Sequence, residues 1–248
     1  AYRLMCRYGS AMLTGNPRPP ELMDLGKSRS FFLLMMASGT ILFFAVPLGA
    51  LVMTVGSVHN LVVAWRASED EIINTLRITP VAATVCTVMS LFAAWALVRA
   101  RISRWIIGVM ALLLISVPSP VVGIGLITVL NREGFPGMLY DSEFGLLAAY
   151  VIRTLPFGIL AMVPAVRRVP KELEEAVELE GGGWFRKIVS VVLPGCWQAV
   201  VVAWFLVFVL SLSDLGASFL VAPPGVATLS IRFFTLIHYG VYPDAAVI

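Results

Sequence analysis

Five stretches of this 248-residue chain are long, apolar and nearly free of charge, and nothing else constrains its fold as strongly. They cover 31–56, 72–98, 105–130, 144–166 and 191–212. A helix needs roughly 20 apolar residues to cross the hydrocarbon core of a bilayer, where only helices and closed barrels satisfy their own backbone. Composition agrees. Hydrophobic residues make up 59% of the chain and charged residues 13%, about half the usual share for a soluble protein. A soluble domain could not cover such a sequence with polar surface. Disorder, a fibrous repeat and a nucleic-acid-binding domain are excluded on the same grounds. The expected fold is all-α, a polytopic transmembrane helical bundle.

The basic residues set its expected orientation. Arg3, Arg7, Arg18, Lys27 and Arg29 precede the first stretch, Arg99, Arg101 and Arg104 fill the turn after the second, and Arg167, Arg168, Lys171, Arg186 and Lys187 follow the fourth. The alternate loops offset their few cations with acids: Arg66 beside Glu69, Asp70 and Glu71, and Arg132 beside Glu133, Asp141 and Glu143. Membrane proteins keep Lys- and Arg-rich loops in the cytoplasm. The N-terminus, the 99–104 turn and the 167–190 loop are therefore expected inside. Residues 1–30, with Gly15, Pro17, Pro19 and Pro20 among basic residues, read as a cytoplasmic linker, and 31–248 as one membrane domain. After 212 the chain is apolar but broken by Pro223, Pro224 and Gly225 and carries Arg232, which predicts a re-entrant or outer-surface segment rather than a span. A further apolar run starts at 245–248, as if a final span were missing.

Smaller features carry expectations of their own. Pro47, Pro80, Pro118, Pro120 and Pro156 lie inside predicted spans and should kink them. Cys6, Cys86 and Cys196 are far apart and read as small apolar fillers rather than a disulfide frame or metal site. Trp65, Trp95, Trp105, Tyr140, Tyr150 and Trp197 fall near span ends, as an interfacial aromatic belt would. Arg153 is the anomaly, a charge well inside the fourth span, where it is costly and usually paired or functional. Asp214, near the outer end of the fifth span, is its candidate partner; the alternative is that Arg153 lines a water-filled path. Arg77 sits where it can snorkel to the interface. Gly26-Lys27-Ser28 lacks the upstream glycine of a phosphate-binding loop, and no nucleophile or metalloprotease motif occurs. No catalytic, metal or cofactor role is expected of this chain.

The richest stretch is 167–194, RRVPKELEEAVELEGGGWFRKIVSVVLP. Pro170 suits a helix start, and Glu172 and Glu174 suit the positive end of its dipole. Gly181-Gly182-Gly183 should end that helix, with Gly181 at positive φ. Trp184, Phe185 and Ile188, flanked by Arg186 and Lys187, begin a second one. Glu175-Ala176-Val177, Gly181 after three intervening residues, then Val191, Leu193 and Pro194, resembles the Glu-Ala-Ala coupling loop of ABC importer permeases, with valines for the usual Ala and Ile. The resemblance extends to Asn74-Thr75-Leu76 at the opening of the second span. It also takes in Asp214 and the Pro224-Gly225…Thr228-Leu229 segment after the fifth.

The resemblance implies a multi-pass subunit of the bacterial inner membrane, similar to the second half of a fused, ferric-iron-type permease. Its two-helix loop would dock into a separate ATP-binding cassette ATPase subunit, a periplasmic binding protein would deliver the solute, and a second permease half, fused or separate, would complete the path. Lipid, and no nucleic acid, would be its other partner. Thiamine, polyamine, sulfate and phosphonate importers share this architecture. An ion-gradient-driven secondary transporter is the alternative, and it needs coupling carboxylates inside the spans, where the sequence places none clearly buried.

Overall fold

The computed structural model describes residues 28–55, 58–100 and 103–238. Most of the linker expected at 1–30, Cys6 and the run at 245–248 lie outside the described residues. The described residues are helical, with no strand, and they divide into two units, 1–53 and 54–248.

In the first unit α1 (Arg29–Thr40) passes through a π-helical turn (Ile41–Ala45) into α2 (Val46–Val55). Ser30–Ala50 is apolar over 21 residues, long enough to cross a membrane. The π turn has a local cause. Pro47 follows it by two residues, and a proline ring collides with the carbonyl one turn back unless that turn is widened.

The second unit begins with α3 (Val58–Ala67) and the 31-residue α4 (Glu69–Arg99). Then come α5 (Ser103–Ser116), α6 (Ser119–Leu130), the short α7 (Phe135–Tyr140) and the 26-residue α8 (Glu143–Arg168). Next come α9 (Lys171–Leu179), α10 (Trp184–Lys187), a π turn (Ile188–Val192) and α11 (Leu193–Gly195). The rest are α12 (Trp197–Leu212), α13 (Gly216–Val221) and α14 (Leu229–His238).

The core is a three-helix stack of α4, α8 and α12. Towards one end Ile78, Ala82, Ala83 and Cys86 pack with Leu146, Tyr150, Val151 and Val207. Towards the other, Leu91 and Ala94 pack with Met162, Val166, Ala203, Cys196, Ile188 and Val192. Residue numbers rise together along α4 and α8 and fall along α12, so α4 and α8 are parallel and α12 antiparallel to both. Small residues permit this closeness, as between membrane helices generally: a Cβ added at Gly158 would collide with the Ser90 hydroxyl. Cys86 and Cys196 are buried here as free thiols, the fillers expected of them.

Two expected spans are interrupted. The stretch 105–130 breaks at 117–118, where α5 and α6 meet at 108°. Pro118 takes an extended conformation and Pro120 enters the first turn of α6, where a missing N–H costs no hydrogen bond. Because α4 and α8 are parallel, this bent pair still carries the chain from the end of one to the start of the other. The stretch 191–212 is interrupted at Cys196 by an 85° bend, so the span begins at Trp197 and 191–195 belong to the loop. Pro194, again two residues beyond a π turn, sits at that break. Pro80 and Pro156 lie inside unbroken helices instead. The aromatic belt also needs correction. Tyr150 is fully buried and accepts from the Ser218 hydroxyl (3.1 Å), and Trp95 is tied to Glu174, whereas Trp65, Trp105 and Trp197 are exposed.

Candidate functional site

The 167–194 residues form the two helices expected. α9 starts after Pro170 in extended conformation and ends on Gly181, whose φ is +77°. Gly182 N–H donates to Val177 O (2.8 Å) and Gly181 N–H to Glu178 O (2.9 Å), the paired closing bonds of a Schellman cap. Gly181 thus needs its left-handed geometry. Gly182 needs its missing side chain, since a Cβ there would stand 2.8 Å from Val177 O. Lys187 pairs with Glu178 at 2.6 Å and closes the two helices on each other.

Glu174 does something its sequence position concealed. The sequence places it only at the positive end of a helix dipole, but it is buried at 6% exposure. Arg99 Nε donates to its Oε1 (2.8 Å), Trp95 Nε1 donates to its Oε2 (3.0 Å), and Arg99 Nη2 also donates to Val169 O (2.7 Å). The loop is thereby fastened to the last turn of α4. Ile188 and Val192 fasten it a second time, as members of the core cluster shared with α4, α8 and α12. Beyond these anchors the tip is bare. Glu175 and Ala176 are exposed, Leu179 is 90% exposed, and Trp184 and Phe185 are largely exposed although Trp184 also meets Phe92 edge-on. Val177, Val191 and Leu193 are half-buried, Pro194 exposed. A bare apolar tip ringed by charge and held rigidly from behind is suited to a groove on another protein. Leu179, the most exposed large apolar residue of the tip, was not singled out from the sequence.

A second site lies deeper. Arg153 is about 15 Å along α8 by helical rise. Asp214 was expected near the outer end of a span, but α13 continues from it towards the start of α8. Gly216 packs on Pro120, Ser218 bonds Tyr150, and Val221 reaches Gly145. Asp214 is therefore buried at the depth of Arg153, at 9% exposure, which also overturns the expectation that no carboxylate is buried among the spans. The two do not form the expected ion pair. Asp214 Oδ1 accepts from the Ser119 hydroxyl, which in turn accepts from Ala217 N–H (2.9 Å), while Oδ2 is buried without a partner. Arg153 lies over the Phe157 ring (5.8 Å to its centroid), with Nη1 buried and unpartnered. Both line one cavity of about 160 Å³.

At the far end of α4, Asn74 and Thr75 hold the chain that follows α13. Asn74 Nδ2 donates to Ala227 O (3.3 Å), and Leu229 N–H donates to Thr75 Oγ1 (2.8 Å). The Asn-Thr-Leu and Pro-Gly…Thr-Leu segments are thus joined in space. Arg77 pairs with Glu143 at the same end, rather than snorkelling alone.

Comparison with known proteins agrees with this arrangement. The sulfate transport system permease protein CysT of Escherichia coli K12 is 26% identical, covering 93% of this chain and 86% of that protein. The molybdenum transport system permease protein ModB of Escherichia coli K12 is 28% identical over 70% of this chain and 80% of its own length. The crystal structure of a bacterial alginate ABC transporter in complex with its alginate-bound periplasmic protein contains a chain of the same fold, with a TM-score of 0.63, 18% identity and coverage of 89% and 88%. Residues 86–246, which include the loop, the core cluster beside it and the Arg153–Asp214 cavity, match a single family. The chain is a multi-pass membrane protein and belongs to the family of binding-protein-dependent transport system inner membrane components.

Proposed function

We propose that this chain is the permease subunit of an ATP-driven importer, forming part of the solute path and drawing its driving force from a separate ATP-binding cassette subunit. The observation that carries this reading is the 171–195 segment, whose tip presents Glu175, Ala176 and Leu179 to a partner while Glu174, Ile188 and Val192 bind its base to all three core helices. A push on the tip is then a push on the bundle. The basic residues around the loop put it on the cytoplasmic side, where ATP is, with the N-terminus on that side too. With α12 crossing once after the loop, the 222–238 segment then faces the opposite side, where a periplasmic binding protein would deliver solute. A second permease half, fused or separate, closes the path. The resemblance of the sequence points to ferric iron and a fused second half, and the relatives' names point to sulfate and molybdenum. What these share is a small solute, and the proposal carries that. Burial of Asp214 removes one objection to a secondary transporter, but the family match and the exposed tip favour the ATP-driven reading.

The test replaces Gly181 by Val and, separately, Glu175 by Lys. A side chain at φ +77° costs roughly 1–2 kcal/mol and re-aims the tip; the lysine changes only its charge. Both variants should insert and accumulate, yet lose co-purification with the ATPase subunit or lose uptake. Unchanged complex and unchanged uptake in both would remove the docking role.

A further inference from the structure

The cavity between α6, α8 and α12 holds two opposite charges that do not meet. Each is positioned by other groups: Arg153 by the Phe157 ring, Asp214 by the Ser119 hydroxyl. The hydroxyls of Thr154 and Ser213 share the lining. Leaving a buried guanidinium nitrogen and a buried carboxylate oxygen unpartnered is costly, so something other than protein must satisfy them. A volume of about 160 Å³ matches roughly five waters at ~30 Å³ each. It also accommodates a solute group of a few heavy atoms.

We infer that this cavity is a hydrated solute-contact site that takes a small polar group offering a hydrogen-bond acceptor to Arg153 and a donor to Asp214. The inference rests on the permease reading above. A fully ionised tetrahedral oxyanion fits poorly, because its attraction to Arg153 is opposed by the Asp214 carboxylate and it has no proton to donate. A protonated oxyanion or a zwitterionic headgroup satisfies both. The site thus separates small solutes by their protons rather than by size.

Thiol labelling tests this without knowledge of the transported solute. Cys6, Cys86 and Cys196 are first replaced by Ala, Ser213 is changed to Cys at the cavity mouth, and the full importer is purified. Anionic sulfonatoethyl and cationic trimethylammonioethyl methanethiosulfonates should then label it at comparable rates. Adding Asp214→Asn should favour the anionic reagent by about tenfold, and adding Arg153→Gln should favour the cationic one similarly, as a unit charge nearby predicts at moderate dielectric. Millimolar phosphate, which carries both acceptors and a hydroxyl, should slow labelling, whereas sulfate should not. A thiol that never reacts, rates indifferent to either charge, or equal protection by sulfate and phosphate would each overturn the assignment. Should one charge variant fail to accumulate, the other still gives a signed shift. Labelling does not depend on ATPase docking, so its failure is distinguishable from failure of the permease reading.

Discussion

The two ends of α4 are fastened differently. At Arg99 a buried charge pair, reinforced by the Trp95 indole and the Val169 carbonyl, locks the helix to the 171–195 segment. At Asn74 and Thr75 two uncharged hydrogen bonds hold the backbone at 227 and 229, beside the exposed pair of Arg77 and Glu143 and a long pair of Arg232 with Glu71 at 3.9 Å. One helix thus carries a firm joint at the end where force is proposed to enter, and a weaker clip at the end where the path is proposed to open. A joint that transmits motion must not slip, and a clip that gates must release. The difference in chemistry matches that difference in task.

Breaking the firm joint should have the largest effect. Glu174→Ala leaves the Arg99 guanidinium buried without its carboxylate, a loss of about 3–5 kcal/mol by the usual penalty for half a buried pair. Folded protein extracted in mild detergent should fall sharply, and Arg99→Ala should do the same. The double change should cost less than the sum of the two, because the stranded charge is gone. Thr75→Val is intermediate. It leaves the Leu229 N–H without its acceptor at roughly 1–3 kcal/mol, lowering the thermal midpoint modestly, while Thr75→Ser should restore it. Arg77→Ala should matter least, under about 1 kcal/mol, since both members of that pair are substantially exposed. If Arg77→Ala proved as damaging as Glu174→Ala in the same thermal assay, the two ends would not differ as described.

How much of this could be read from the sequence depends on whether the cause was local. The helices α4 and α8 were legible because their apolar runs are unbroken and their prolines are absorbed within them. The breaks at 117–118 and 196 were not, because proline inside a span bends or ends a helix according to what takes up the freed groups. Here the Ser119 hydroxyl joins Asp214 and Ala217, nearly a hundred residues on. Gly181 was legible because a helix cap is a local event. Glu174 was not, since its partners on α4 lie more than seventy residues away. The one available signal was Trp95 and Arg99, four residues apart and so on one helix face, an aromatic and a cation waiting for an acid. Asp214 was recognised as Arg153's counterpart, yet its depth depended on the course of α13 towards the start of α8, which no periodicity reports.

The central claim is that the bare tip of α9 is a protein interface, and a cross-link tests it most directly. With Leu179→Cys in a chain whose own cysteines are replaced, a short reagent carrying a maleimide for that thiol and a photoreactive group for any neighbouring bond is applied to membranes containing the whole importer. The account predicts a single cross-linked product between residue 179 and the ATPase subunit, lost when Glu175→Lys is added. A residue 179 that cross-links to no ATPase, and is instead labelled from outside intact cells by an impermeant thiol reagent, would contradict it.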